Sequence, residues 1–156
     1  MHLSLTGVDD APEPLSFEVT VSNDQLSTTD LPIVEVAVQN TGDETVSWSY
    51  GGGVSNLPFP QGVHDSKSGV IVLGLEEEVR AQLLDVSGGC ARVDQFTHAD
   101  AIKNTTLEAN NQVKRSYALA GVGGELSGNC PAHGEYRMEH DLGDVGMVGF
   151  EFKLEQ

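Results

Sequence analysis

The stretch IVEVAVQNTGDETVSWSY, residues 33–50, decides how the rest of the chain is read. Val34, Val36 and Val38 alternate with Glu35, Ala37 and Gln39, the two-residue period of a strand with one buried and one wet face. Asn40-Thr41-Gly42-Asp43-Glu44 then offers small, polar and glycine residues suited to a tight turn, after which Val46, Trp48 and Tyr50 alternate with Ser47 and Ser49. The pattern predicts a β-hairpin, with Trp48 facing the same core as Val36.

Outward from this stretch, the same period recurs. Leu15, Phe17, Val19 and Val21 alternate with Ser16, Glu18, Thr20 and Ser22, and Val70-Ile71-Val72-Leu73 is β-branched and apolar. Residues 112–120 place Val113, Tyr117 and Leu119 on one face, where Arg115 is a departure. Residues 134–142 set Tyr136, Met138, His140 and Leu142 against Glu135, Arg137, Glu139 and Asp141, and Val148, Phe150, Phe152 and Leu154 alternate with Gly149, Glu151, Lys153 and Glu155. These last three strands have half-apolar faces and need a second sheet opposite, which the first strand and the hairpin can supply. Residues 1–14, ending in Pro12-Glu13-Pro14, read as a flexible lead-in to a single domain over 15–156.

The middle of the chain is harder to assign, and 51–112 reads as an elaborated loop region. Prolines on both sides of Phe59 hold it in an extended loop, as a plug for one end of the core or as an exposed contact. In residues 76–86, Val79, Leu83 and Val86 fit a helix behind three leading glutamates, while Val79, Ala81 and Leu83 fit a strand. The neighbouring strands favour a strand or irregular segment. Residues 88–112 read as loop with one helical turn around His98 to Lys103.

Charge is the strongest compositional signal. Twenty-four Asp and Glu against eight Lys and Arg leave a formal net charge of −16, a field that repels nucleic acid and anionic lipid. Lysine scarcity with dispersed acid resembles proteins of salt-loving archaea. Dispersed carboxylates destabilise a compact state unless salt screens them, over about 3 Å at 1 M, so the domain is expected to need salt. No apolar run reaches membrane-span length, so the chain is not expected to be integral to a membrane.

Cys90 and Cys130 lie in turn-like sequence, Ser87-Gly88-Gly89-Cys90 and Gly128-Asn129-Cys130-Pro131, and are read as a disulfide rather than two free thiols. Asn104-Thr105-Thr106 is an N-glycosylation sequon, which suits an exported chain. Cys130-Pro131-Ala132-His133 has a metal-compatible spacing but lacks the second paired motif of a zinc site, so no metal is assigned. His64-Asp65 and His98-Ala99-Asp100 set imidazole beside carboxylate without a nucleophile in reach of the pattern, and His64-Asp65 reads as loop. No phosphate-binding, dinucleotide, nucleophile-elbow, zinc-protease or EF-hand motif is present. The chain is read as non-enzymatic, with no cofactor.

The order of strands resembles an immunoglobulin-like sandwich. Trp48 stands on the third strand, where such domains bury a tryptophan, and Gly134-Glu135-Tyr136-Arg137-Met138 looks like a tyrosine-corner segment, with Met138 where an antibody domain has its second cysteine. A closer likeness is to the domain type of the bacterial intracellular proteinase inhibitor BsuPI and to predicted surface lipoprotein domains of haloarchaea. The residues that carry it are the strand ending in Asn40-Thr41-Gly42, the strand entered through Leu107 to Tyr117, and the Gly134-x-Tyr136 entry to the penultimate strand. The family name implies protease inhibition, with no inhibitory residue carried over.

The sequence therefore predicts an all-β, two-sheet immunoglobulin-like sandwich of seven to nine strands with at most one short helix. Val36, Trp48, Tyr136 and Phe150 are its expected core. The expected role is a monomeric interaction domain, extracellular or at the cell surface, that binds a protein or surface ligand through loops 51–69 and 87–111. The alternatives are a protease inhibitor and a cytoplasmic location.

Overall fold

The computed structural model describes residues 1–50, 61–67, 69–85, 89–97, 103–123, 130–142 and 145–156. Within them, the period-two apolar sequence of 15–22, 33–38, 46–50, 134–141 and 148–154 becomes strand, and the molecule is the predicted all-β sandwich with one short helix. Three strands, β1 (His2–Val8), β10 (Gly134–Asp141) and β11 (Met147–Glu155), form one antiparallel sheet in the order β1-β11-β10. The second sheet runs β2 (Leu15–Asn23), β3 (Ile33–Asn40), β9 (Gln112–Val122), β6 (Gly69–Leu75), β5 (Gly62–Ser66), with β7 (Arg92–Val93) parallel to the end of β9. A separate ladder pairs β4 (Val46–Tyr50) with β8 (Lys103–Leu107).

The inner faces meet in one continuous buried cluster that contains Val36, Trp48, Tyr136 and Phe150, the four residues expected there. Tyr136 and Phe152 share a rung of the β10–β11 ladder and stack with centroids 5.4 Å apart and planes 7° from parallel. Alternation on β11 buries Phe150, Phe152 and Leu154 and leaves Glu151 and Glu155 in water. Burying a Phe or Leu side chain contributes roughly 1.5–3 kcal/mol. This layer and the valines of β3 account for much of the driving force.

The hairpin expected over residues 33–50 does not form. Both strands exist, but β3 pairs with β2 and β9, while β4 pairs with β8. The turn residues instead carry the chain from one ladder to another, and Asn40 holds that corner. It is fully buried, and its Nδ2 donates to Glu44 O at 2.7 Å and Leu107 O at 3.0 Å, while Oδ1 accepts from Gly42 N at 3.0 Å. Its backbone N–H donates to Asn111 O and its carbonyl accepts from Asn110 N, at the turn between β8 and β9. Gly42 is required because a Cβ there would come within 2.8 Å of the Pro14 ring.

Four further expectations are corrected. Residues 1–14 are not a flexible lead-in: β1 pairs with β11 from His2 to Val8, and Leu3 is buried in the core. Alternating Leu3 and Leu5 provide the apolar face, and β11 supplies the partner that makes a short strand stable. The strand at 112–120 sits with β2 and β3 rather than with β10 and β11, because its rungs match Val34 to Tyr117 and Val38 to Val113. Residues 76–81 are the helix α1 (Glu76–Ala81), with three glutamates in its first turn, Arg80 in its last and Val79 fully buried. Val79 and Phe96 close over Gly74, where a Cβ would meet the Phe96 ring at 2.6 Å.

The region 51–112 is likewise more regular than a loop. It contributes β5, β6, α1, β7 and β8, and β6 lies inside the main sheet. The helical turn expected around His98 to Lys103 falls mostly outside the described residues, and Lys103 itself begins β8.

Candidate functional site

The predicted disulfide is present, with Cys90 and Cys130 Cα atoms 4.9 Å apart. It joins the two layers. Cys90 precedes β7 in the main sheet and is buried, and Cys130 opens the segment that leads to β10 in the other sheet. The Cys90 end is laced in place by Ala91 N to Ser27 O and Gly121 N to Ala91 O. At the Cys130 end, the Tyr136 hydroxyl donates to Ala132 O at 2.8 Å, the backbone-directed bond expected of a tyrosine corner. Burial pushes that phenol up to about 12, so it stays a donor at any ordinary pH.

The β4–β8 ladder presents two faces. Trp48 and Thr105 share an inner rung and are buried, whereas Ser47 and Thr106 share an outer rung and bond through their hydroxyls at 3.0 Å. The last described rung of the ladder pairs Tyr50 with Lys103, so residues 51–60 and 98–102 leave from adjacent positions. Phe59 and His98 lie in those segments, outside the described residues. Asn104 of the sequon pairs with Ser49 in β8, and its side chain is outside the described residues.

A cavity of about 330 Å³ opens where α1 meets β9, lined by Leu75, Glu76, Glu77, Arg80, Arg115 and Ser116. That volume is at the lower end for a small-molecule site. Glu76 pairs with Arg80 at 3.0 Å, one turn apart on the helix. Arg115 donates Nη1 to Lys114 O at 2.7 Å and has no carboxylate partner among the described residues. The sequence marks Arg115 only as a departure from an apolar face; its cavity depends on α1, which packs beside β9 where the sequence favours a strand or irregular segment.

The outer face of the three-stranded sheet carries a second charged cluster. Arg137 reaches Asp9 at 2.6 Å, Glu139 at 3.1 Å and Glu151 at 3.3 Å, and Asp9, followed by Glu139, holds its guanidinium above its ordinary pKa. All four groups are well solvated, so the network contributes little to stability and weakens in salt.

Of the weighed histidine pairs, His98 and Asp100 lie outside the described residues, and the His64–Asp65 pair does not assemble. His64 and Asp65 lie in β5 rather than in a loop, and they fall on different rungs, opposite Ile71 and Val70. Burial lowers the pKa of His64, so its neutral form is favoured at neutral pH. Cys130 is committed to the disulfide, which removes Cys130-x-x-His133 as a thiolate metal pair. Among the described residues, no three His, Cys, Asp or Glu side chains converge as metal ligands would, and no helix is long and apolar enough to cross a membrane. Comparison with protein-family models, with curated proteins and with solved structures finds no match to this chain.

Proposed function

We propose that this chain is a non-enzymatic interaction domain that works outside the reducing cytosol, at a cell surface or in the extracellular space. The observation that carries this reading is the Cys90–Cys130 bridge between the two layers, since persistent structural disulfides belong to oxidising settings. A stapled sandwich is a rigid platform, and recognition on such platforms runs through loops. The shared rung of Tyr50 and Lys103 brings the departures of 51–60 and 98–102 together, which favours this end of the β4–β8 ladder as the binding region.

Photo-cross-linking on intact native cells tests the proposal. A photoreactive residue at Ser55 should yield discrete adducts with a surface partner. The same residue at Glu18, exposed on the far edge strand β2, should yield none. Equal or absent adducts from both positions would contradict the assignment.

A second reading is protease inhibition of the BsuPI type. The sequence feature that favours it is Phe59 between Pro58 and Pro60, since a proline-constrained extended segment is the form in which a loop enters a protease cleft. A panel of serine and cysteine proteases decides it, and absence of inhibition across the panel removes it.

A further inference from the structure

The geometry points to the cavity between α1 and β9 as a binding site for a small zwitterion of the amino-acid kind, with a carboxylate held by Arg115, an ammonium by Glu77 and an aliphatic part over Leu75. Three observations combine. Arg115 has the parity of Val113 and Tyr117, both buried, and shares its rung with Val36, which is fully buried. A cation at this position interrupts the apolar face at the place where the cavity opens. The second observation is electrostatic. The chain carries 24 acidic residues against four arginines, yet no carboxylate among the described residues pairs with Arg115.

The third observation concerns the balance of the lining. Glu76 and Arg80 satisfy each other, and Lys114, on the opposite side of β9, is engaged by Glu35 at 3.3 Å. Among the described residues, one cation and one anion of the lining then remain for a ligand, Arg115 and Glu77. Arginine presents a planar fork that matches a carboxylate through two parallel hydrogen bonds. Ser116 also lines the cavity, and Leu75 is buried and apolar.

The field of the whole molecule selects between ligand classes. A net charge of −16 repels a simple anion, however well Arg115 is placed to receive it. A ligand with no net charge escapes that repulsion while keeping both local contacts. A simple cation would be drawn to the surface generally and would gain nothing from Arg115. The lining and the field therefore favour the same class.

Amide chemical-shift titration of the full chain tests this, with leucine as the zwitterion, 4-methylpentanoate as the matched carboxylate and 3-methylbutylamine as the matched amine. Leucine should give saturable shifts at residues 75–77, 80, 115 and 116, and both matched probes should bind more weakly. Loss of a charged hydrogen-bonded pair corresponds to about tenfold in affinity, so Arg115→Gln should weaken leucine by at least that factor. Arg115→Lys, which keeps the charge and loses the fork, should retain part of the binding. Glu77→Gln should weaken leucine and leave 4-methylpentanoate no weaker. Arg115 and Glu77 are both exposed, so the variants should keep the wild-type amide spectrum away from the cavity. Shifts that grow linearly to the solubility limit, leucine binding unchanged in Arg115→Gln, or 4-methylpentanoate binding as tightly as leucine would each overturn the assignment.

Discussion

Replacing Asn40 tests the corner that sends the chain from the main sheet to the β4–β8 ladder. Its side chain makes three hydrogen bonds, two as donor to Glu44 O and Leu107 O and one as acceptor from Gly42 N, from a position with no solvent exposure. Asn40→Ala removes all three. The bonds at Glu44 and Gly42 are only partly buried, at roughly 0.5–1.5 kcal/mol each, and stranding the buried Leu107 carbonyl costs about 1–3 kcal/mol. The expected loss is about 2–6 kcal/mol, a large part of the stability of a domain this size. Asn40→Asp is the sharper variant because it keeps the shape. It exchanges the amide donor for an acceptor facing two carbonyls and buries a charge, so it should cost at least as much as alanine. Urea unfolding at constant molar salt gives both values. A loss below about 1 kcal/mol in Asn40→Ala, or Asn40→Asp matching wild type, would refute the view that this amide holds the corner.

Four other perturbations have defined outcomes. His64 has its folded-state pKa below the ordinary value near 6.5, so the unfolded chain binds the proton first; stability is fully present above about pH 6.5 and is lost as pH falls from there. Unfolding of wild type and His64→Gln between pH 7 and 5 should show a steeper loss in wild type, and parallel curves would contradict the burial argument. Thr105 has a buried hydroxyl with no hydrogen-bond partner among the described residues, so Thr105→Val should leave stability unchanged or raise it by about 1 kcal/mol in thermal unfolding, whereas a loss of that size would show that the hydroxyl is used. The net charge of −16 predicts a melting temperature that rises steadily from low to molar KCl, and a flat series would count against a salt-requiring domain. Cys130→Ser should cost about 4 kcal/mol by the chain-entropy argument for a 40-residue loop, read by urea unfolding without reductant, and a cost near zero would show that the bridge does not restrain the unfolded chain.

Strand identity was legible because it is local: period-two alternation in 15–22, 33–38, 134–142 and 148–154 reports a half-buried pleat wherever the strand finds its partner. Partnership is not local. The residues 40–44 suit a hairpin turn equally well as a crossing between ladders, and the bond that distinguishes them, Asn40 to Leu107, spans 67 residues. The same distance hid β1, whose partner lies at the other end of the chain. In α1 the glutamates and Val79 carried a helix signal over only six residues, too short to outweigh strands on either side. The cysteine pair was readable from context, whereas the Arg115 cavity was not, since it needs α1 and the middle of β9 to be placed side by side.

The state of Cys90 and Cys130 in the protein as its native cell makes it tests the location most directly. Cells are lysed into a thiol-blocking reagent, and the chain is digested without reduction and analysed by mass spectrometry. A domain working in an oxidising setting yields one cross-linked peptide pair through Cys90 and Cys130, with neither thiol blocked before reduction. Recovery of both cysteines as blocked free thiols would contradict the surface reading and return the chain to a reducing compartment.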